Sequence, residues 1–308
     1  MLRKILVIVG PTASGKTDLG IRLAKQFNGE VISVDSRTVY RGMNIGTAKP
    51  VGEKQMVGTW KIGDTPLIVV DVPHWGIDLI EPDQDYSIAD FKLYAEKKIV
   101  EIVGRGKLPI LVGGTGLWID AIVDNLELPE VAPDMELRAE LEKKTAAELF
   151  AQFETVDPEG ALAIDEFNKR RLVRALEVCI KSGKPFSQMK SRGPAKYDAI
   201  KIGVEVDRDE LRRRIDARVD VMIANGLVDE VRKLADKYGQ EFPAMSGIGY
   251  RQINFFLNGK ANLEAAIVDI KKDTWAFAKR QMTWFKRDPR IHWIKNIDEA
   301  IALVTPIL

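Results

Sequence analysis

The stretch Gly10-Pro11-Thr12-Ala13-Ser14-Gly15-Lys16-Thr17 decides the fold of this chain. It matches the P-loop pattern G-x-x-x-x-G-K-[ST], whose backbone N–H groups and following helix N-terminus surround a phosphate. An apolar run at 5–9 comes directly before it, and apolar residues at helical spacing come after it. We therefore predict a buried strand, a phosphate-binding loop and a helix. Lys16 is expected to supply a cation to the phosphate, and Thr17 a hydroxyl ligand to Mg²⁺.

The composition indicates a globular protein with balanced charge. The 308 residues are 45% apolar, and 46 Lys and Arg against 45 Asp and Glu give a net charge of +1, so a polyanionic partner would need local clusters of basic residues. A single cysteine and two histidines argue against a disulfide and against a His/Cys metal site, which leaves Mg²⁺ with oxygen ligands as the expected metal. No apolar run in the sequence has membrane-spanning length, and we expect a cytoplasmic protein with no membrane partner.

Two further segments are predicted to be parallel strands that end beside the P-loop. Residues 30–36 alternate in polarity and end in Asp35 and Ser36, and residues 109–116 run from an apolar stretch into Gly113-Gly114-Thr115-Gly116. Because the carboxyl ends of parallel strands share one edge of a sheet, we expect Asp35 near the phosphate and expect the glycines to let a ligand approach the backbone. The structural alternatives are an Asp35 that only caps a turn and an ordinary glycine turn.

The region between these two strands contains one clear helix. Residues 51–85 are irregular, with a possible strand at 67–72. Ser87 and Asp90 have the spacing of a capping box, which predicts a helix over 87–104. The pattern as a whole predicts an α/β fold, with a doubly wound parallel sheet flanked by helices.

The strand signal stops between 129 and 195, where the sequence becomes helical and charged. We predict an all-helical insertion domain at 129–195, between two segments, 1–128 and 196–308, that together form the core domain. One helix near 168–180 is expected to bury Leu172, Val173, Leu176, Cys179 and Ile180. Its opposite side would carry Arg170, Arg171 and Arg174. These arginines could form a solvated face, but no carboxylate is interleaved among them, which favours an anionic partner.

The last third of the chain returns to strand and helix patterns. Residues 200–206 alternate like a strand, and Asp207 with Glu210 predicts the start of a long helix. Arg218 lies at the edge of that helix's apolar stripe, where it is either a phosphate clamp or a surface arginine. Residues 275–287 are basic and aromatic; Trp275 and Phe285 are expected to pack, and the basic residues form a second cationic patch, Lys279, Arg280, Lys286 and Arg287.

A set of segments in this order along nearly the whole chain resembles the tRNA dimethylallyltransferases. The segments are the P-loop, 35–37, 40–43, 46–50, 113–117, 174–178, 249–252 and 278–284. The resemblance implies a P-loop NTPase-like core with an inserted tRNA-binding domain. It also implies transfer of a dimethylallyl group from dimethylallyl diphosphate to N6 of the adenine at tRNA position 37, next to the anticodon, with release of diphosphate.

The resemblance also implies roles for individual residues. The P-loop, Gly10 to Thr17, would hold the diphosphate together with Mg²⁺, and the catalytic residues would be Asp35 as general base, Thr17 and Arg218. The partner would be the anticodon stem-loop of tRNA with its target adenine flipped out, bound by a monomer. The tRNA contacts would be Asp35, Ser36, Arg37, Thr38, Thr115, Arg138, Arg170, Arg171, Arg174, Ser246, Gly247, Ile248, Gly249, Tyr250, Arg251, Lys279 and Arg280.

Three departures from the family pattern and three other functions stay open at this point. The family usually has Gln at the position of Arg170 and Arg at that of Trp275, and residues 55–72 are longer than usual. The alternatives are a P-loop kinase of a small hydroxyl compound, a prenyltransferase of free adenylate, which would not need the insert, and an RNA-binding protein with an unused P-loop.

Overall fold

The structure is a computed structural model that describes residues 2–55, 65–129, 131–189 and 191–306. It divides into two compact units. The first comprises Met1–Val123 and Lys196–Leu308, and the second comprises Asp124–Ala195. The second unit therefore begins at Asp124, before the boundary at 129 that the loss of strand signal suggested.

The strands in the described residues are β1 (Arg3–Val9), β2 (Gly29–Val34), β3 (Glu53–Lys54), β4 (Leu67–Val69), β5 (Val72–Trp75), β6 (Leu108–Gly113), β7 (Leu126–Glu127), β8 (Ser191–Arg192), β9 (Tyr197–Val204) and β10 (Ile291–Ile294). The helices there are α1 (Lys16–Gln26), α2 (Ile88–Gly104), α3 (Gly116–Val123), α4 (Met135–Glu142), α5 (Ala146–Val156), α6 (Pro158–Ala161), α7 (Lys169–Ser182), α8 (Arg208–Ala224), α9 (Leu227–Tyr238), α10 (Tyr250–Leu257), α11 (Leu263–Phe285) and α12 (Ile297–Val304).

The first unit is built on an eight-stranded sheet in the order β10-β9-β1-β6-β2-β5-β4-β3. The strands from β10 to β5 are parallel, and the short β4 and β3 add an antiparallel edge. Side chains of β1 alternate between the two faces, so that Val7 joins one apolar cluster and Ile8 the other. Helices cover both clusters, which confirms the predicted α/β class.

The register of the central strands sets the position of the functional loops. Val9 and Val34 are both paired with Gly113, so β1, β6 and β2 end at the same level. The P-loop, the Asp35 turn and the loop after Gly113 therefore leave the sheet side by side. The strand predicted over 30–36 stops at Val34, which places Asp35 and Ser36 in the turn.

The expected strand at 67–72 is in fact a hairpin. β4 and β5 are antiparallel and are joined by Val70 and Asp71, with φ values of 48° and 64°. Tight hairpins require this left-handed backbone, which the turn dipeptide Asn-Gly usually signals. The turn at Val70 and Asp71 lies inside an apolar run without such a dipeptide, so the sequence does not indicate it. Residues 56–64 of the longer 55–72 segment lie outside the described residues.

The second unit has a small core of its own. Leu149, Phe153, Leu172 and Leu176 are fully buried in it, together with Cys179 on α7. The expectation for Ile180 was wrong, because its side chain is 47% exposed. The unit is also not all helical, since β7 and β8 form a two-stranded antiparallel ribbon.

Locally encoded helix starts match their sequence signals. Ser87 and Asp90 form the capping box of α2, and the Asp207 carboxylate accepts the backbone N–H groups of Asp209 and Glu210 at the start of α8. Within the described residues, no helix combines the length and the apolar character that a membrane crossing requires.

Candidate active site

The P-loop joins β1 to α1 and turns its backbone toward one point. Ala13 and Gly15 adopt left-handed conformations, with φ of 64° and 88°, and Ser14 N–H closes the turn on Pro11 O at 3.3 Å. Lys16 begins α1, so the positive end of the helix dipole faces the loop. This is the geometry of an anion site.

The chemistry of the loop fits a phosphate. The Ser14 side chain is 3% exposed, and its Oγ has no hydrogen-bond partner in the described residues. A buried hydroxyl without a partner destabilises the protein, and a phosphate oxygen would satisfy it. Among the described residues, Lys16 Nζ bonds only the Pro11 carbonyl, at 3.2 Å, which leaves two of its protons to meet an anion.

The charges around Lys16 come from Asp35 and Arg218. Burial lowers the pKa of Lys16 to about 8, the Asp35 carboxylate acts against that shift, and the Arg218 guanidinium adds to it. Burial also lowers the pKa of Arg218, which makes no hydrogen bond or ion pair within the described residues. The structure thus brings together the three charged groups that the sequence analysis selected, and leaves a surplus of positive charge.

Asp35 both caps a turn and keeps an oxygen open. Its Oδ1 accepts Arg37 N–H at 2.8 Å, which is the structural alternative considered above. Its Oδ2 has no hydrogen bond in the part of the chain that is described. Ser36 N–H donates to Thr115 Oγ1 at 3.2 Å, so the loop after β6 holds the turn that carries Asp35. The Thr115 side chain thus supports the turn by accepting a hydrogen bond from the backbone of Ser36.

The glycines after β6 are required by the packing of the protein itself. A Cβ on Gly113 would lie 2.0 Å from Val34 O, one on Gly114 2.2 Å from Gln281 Nε2, and one on Gly116 2.3 Å from the Trp284 ring. These glycines make room for the neighbouring strand and for α11. Sequence alone could not identify what approaches them, because the neighbour is distant along the chain.

Gln281 is a residue to which the sequence analysis assigned no role. It lies on the buried side of α11, accepts Thr12 N–H at 2.8 Å and donates to Gly114 O at 2.9 Å. Its sequence signal is a polar residue at helical spacing from Ala278 and Phe285, which are both buried. Such a position is polar only where it has a polar partner.

Several predicted tRNA contacts are supports inside the fold. Thr38 is 5% exposed and its hydroxyl is shared with Ser33 Oγ at 3.2 Å. Tyr250 is 1% exposed, its ring lies against Gly46, and its hydroxyl donates to Glu230 at 2.6 Å. Gly247 and Gly249 are buried as well. Because these residues are buried, their side chains or backbone help to shape the loops.

Other predicted contacts in the first unit remain at its surface. Arg37 Nη2 donates to Ser246 Oγ at 3.4 Å, so these two segments lie together. Arg251 is exposed and pairs with Asp273 at 2.8 Å. Lys279 and Arg280 are exposed on α11, and Ile248 is half-buried.

The arginines of the second unit divide into two kinds. Arg138 and Arg174 both bind the fully buried Glu177 carboxylate, Arg138 through two bonds of 2.8 Å. No carboxylate lies between these arginines in the sequence, but Glu177 follows Arg174 by three positions on α7 and pairs with it. Arg170 and Arg171 are exposed and have no side-chain partner in the described residues. Burial raises the pKa of the Cys179 thiol, as expected for a core residue.

Trp275 packs beside the P-loop, as expected for an aromatic residue of α11. It lies against a cluster formed by Ala13, Leu211, Ile215 and Ala278. The guanidinium groups of Arg208 and Arg212 lie 5.9 and 5.5 Å from the ring centre. Positive charge therefore surrounds the position where the family pattern has an arginine.

These features define the class of protein. A parallel sheet ends in a P-loop where, in the part of the chain that the structure describes, a serine hydroxyl is unsatisfied, an arginine is unpaired and a carboxylate oxygen is open. These features make it a P-loop α/β enzyme for a phosphorylated substrate. A family model described as IPP transferase matches residues 38–288, and one described as isopentenyl transferase matches residues 3–62. The chain belongs to the IPP transferase family.

Relatives and solved structures agree with this family. The tRNA dimethylallyltransferase of Roseiflexus sp. (strain RS-1) is 46% identical over 93% of this chain and 91% of its own. That of Carboxydothermus hydrogenoformans is 43% identical over 99% of this chain and 96% of its own. The crystal structure of the tRNA isopentenylpyrophosphate transferase of Bacillus halodurans has a TM-score of 0.71 and 38% identity, covering 99% and 95% of the two chains. A eukaryotic dimethylallyltransferase acting on tRNA has a TM-score of 0.73 and 26% identity, covering 99% and 77%.

Proposed function

We propose that this chain is a tRNA dimethylallyltransferase. It transfers the dimethylallyl group of dimethylallyl diphosphate to N6 of the adenine at position 37 of tRNA, acting as a cytoplasmic monomer. The observation that carries the proposal is the open Asp35 Oδ2 beside Lys16 and Arg218, because a proton acceptor next to a cationic phosphate site suits transfer from a diphosphate.

The P-loop side of the site serves the leaving group. The reaction breaks the bond between the allylic carbon and a diphosphate oxygen, so negative charge grows on that oxygen. Lys16, Arg218 and the Ser14 hydroxyl are the groups that would stabilise it. Within the described residues, Arg218 makes no hydrogen bond or ion pair, Ser14 Oγ has no partner, and Lys16 Nζ bonds only the Pro11 carbonyl.

Asp35 serves the nucleophile. The exocyclic amine of adenine is weak and must lose a proton as the new C–N bond forms. Asp35 Oδ2 would take that proton, while Oδ1 stays bound to Arg37 N–H and keeps the carboxylate in place. Thr115 holds the same turn from the other side.

Thr17 is the residue that would hold Mg²⁺. Its hydroxyl is exposed in the first turn of α1 and makes no hydrogen bond in the described residues. One hydroxyl with diphosphate oxygens and waters is a donor set that suits Mg²⁺. When bound, the ion supplies charge neutralisation for the diphosphate.

Each unit offers its own surface to tRNA. In the first unit this surface comprises Ser36, Arg37, Ser246, Ile248, Arg251, Lys279 and Arg280, and in the second it comprises Arg170 and Arg171. Since the adenine must reach Asp35, it would be flipped out of the anticodon-loop stack. Arg138 and Arg174 act indirectly here, by fixing α7 through Glu177.

The test is mass spectrometry of nucleosides from unmodified tRNA after incubation with the protein, dimethylallyl diphosphate and Mg²⁺. We expect prenylated adenosine at position 37, and a turnover about a thousandfold lower for Asp35→Asn with unchanged tRNA affinity. Asp71→Asn, on the exposed β4–β5 turn, is the matched control with normal turnover. Absence of product, or transfer only to free adenylate or from ATP to a hydroxyl compound, would contradict the proposal.

A further inference from the structure

Gln281 connects three segments that are far apart in the chain. It belongs to α11, its Oε1 accepts Thr12 N–H of the P-loop at 2.8 Å, and its Nε2 donates to Gly114 O after β6 at 2.9 Å. The side chain is 5% exposed. Its amide orientation follows from its neighbours, since a backbone N–H can only donate and a carbonyl can only accept.

Few side chains could make both bonds at once. A glutamine carries an acceptor and a donor on one planar group, whereas glutamate has two acceptors and methionine has neither a donor nor a strong acceptor. The position therefore has a chemical requirement beyond packing. Without Gln281, the partly buried Thr12 N–H and the buried Gly114 carbonyl would each lose this partner.

The bond to Thr12 acts next to a backbone conformation that needs support. Ala13 has a φ of 64°, which residues other than glycine rarely adopt and which persists only when surrounding contacts enforce it. Thr12 N–H is fixed by Gln281 immediately before this residue. The N–H groups from 13 onward then keep the orientation in which they can face a phosphate.

We propose that Gln281 is a positioning residue for the diphosphate. It holds the P-loop in its phosphate-binding shape through Thr12 and ties that loop to Gly114, and it does not itself touch the substrate. The inference rests on the proposed function only for the identity of the phosphorylated ligand.

Two substitutions test the contact from opposite sides. Gln281→Met keeps the volume and removes both hydrogen bonds. Gly114→Ala adds a methyl group 2.2 Å from the position of Gln281 Nε2 and displaces the amide. We expect each to raise the KM for dimethylallyl diphosphate about tenfold or more, with kcat and tRNA affinity changed by less than about threefold. Because both substitutions break the same interaction, the KM of the double variant should be no higher than that of the single variant with the larger increase.

The control is Trp284→Phe. Trp284 lies one turn further along α11 and its Nε1 donates to Asp120 at 2.9 Å, so the substitution also removes a hydrogen bond that docks this helix. It should lower the melting temperature without changing diphosphate affinity. If all three variants only lower the melting temperature and bind diphosphate like wild type, Gln281 is a packing residue and the inference is wrong.

Calorimetric titration with inorganic pyrophosphate, without tRNA, separates this inference from the proposed function. Pyrophosphate binding that weakens in Gln281→Met and Gly114→Ala supports the positioning role even if wild type makes no prenylated tRNA. Wild-type prenylation with unaltered pyrophosphate binding in both variants overturns the positioning role alone.

Discussion

At the residue scale, the site depends on Lys16, whose lowered pKa brings loss of its charge close to neutral pH. Burial and the nearby Arg218 lower the pKa of Lys16 to about 8, although Asp35 opposes the shift. An anion placed on the loop would favour the protonated form again. Lys16 is therefore a cation at neutral pH whose charge disappears at mildly alkaline pH.

We predict that affinity for dimethylallyl diphosphate falls as the pH rises through about 8. The sign follows because the folded protein releases this proton below the usual lysine pKa, while the anion binds the protonated form. The loss should approach tenfold per pH unit above about pH 8, or roughly thirtyfold between about pH 7 and about pH 9.5. Calorimetric titrations across this range measure it. Lys16→Arg, which stays charged, should give a flat profile, and a flat wild-type profile would contradict the prediction.

The residues of the site differ in how far the sequence could identify them. Lys16 and Asp35 were predictable because a motif and a strand end place them, and the parallel register then brings them together. Gln281 was not, because its role exists only where α11 meets the P-loop. Tyr250 was misjudged since a motif does not state whether its members face solvent.

At the scale of elements, local signals were reliable and hidden turns were not. The caps of α2 and α8 depend on residues three positions apart, so the sequence contains the whole interaction. The turn between β4 and β5 depends on a left-handed backbone conformation, which a valine such as Val70 does not indicate in a sequence. The two-stranded ribbon β7–β8 has strands of two residues each, too short for any periodicity.

Val70 provides a prediction about the hairpin. It is 61% exposed and has a φ of 48°, where a β-branched side chain is strained. Val70→Asn should raise the free energy of unfolding by about 1 kcal/mol, because asparagine tolerates this backbone and little packing is removed. Urea unfolding measures the change. Val51→Asn, at a side chain that is 94% exposed, should have no effect; equal effects in both would refute the strain argument.

At the scale of the whole molecule, a nearly neutral chain must bind a polyanion through local patches. The chain has a net charge of +1, and buried carboxylates such as Glu177 already neutralise part of its arginine content. Arg170 and Arg171 are exposed and unpaired in the described residues, which makes them the part of the α7 face that is available to phosphates.

We predict that the Arg170→Ala and Arg171→Ala double variant lowers the salt dependence of tRNA binding. Removing one arginine–phosphate interaction should reduce the slope of log affinity against log salt concentration by about 1, so a decrease of about 2 is expected. Filter binding at several salt concentrations measures this slope. Arg213→Ala removes an arginine that is paired with Glu210 and should leave the slope unchanged. An unchanged slope in the double variant would show that Arg170 and Arg171 on α7 do not contact tRNA phosphates.

The bond between Gln281 and Thr12 has a consequence for biosynthesis. Its partners are separated by 269 positions, so the ribosome makes the P-loop early and Gln281 near the end of translation. At ordinary elongation rates the two events are on the order of tens of seconds apart. During that interval the nascent chain has the P-loop sequence without the hydrogen bond that sets its shape. The P-loop shape that Gln281 supports would thus arise only after α11 has left the exit tunnel.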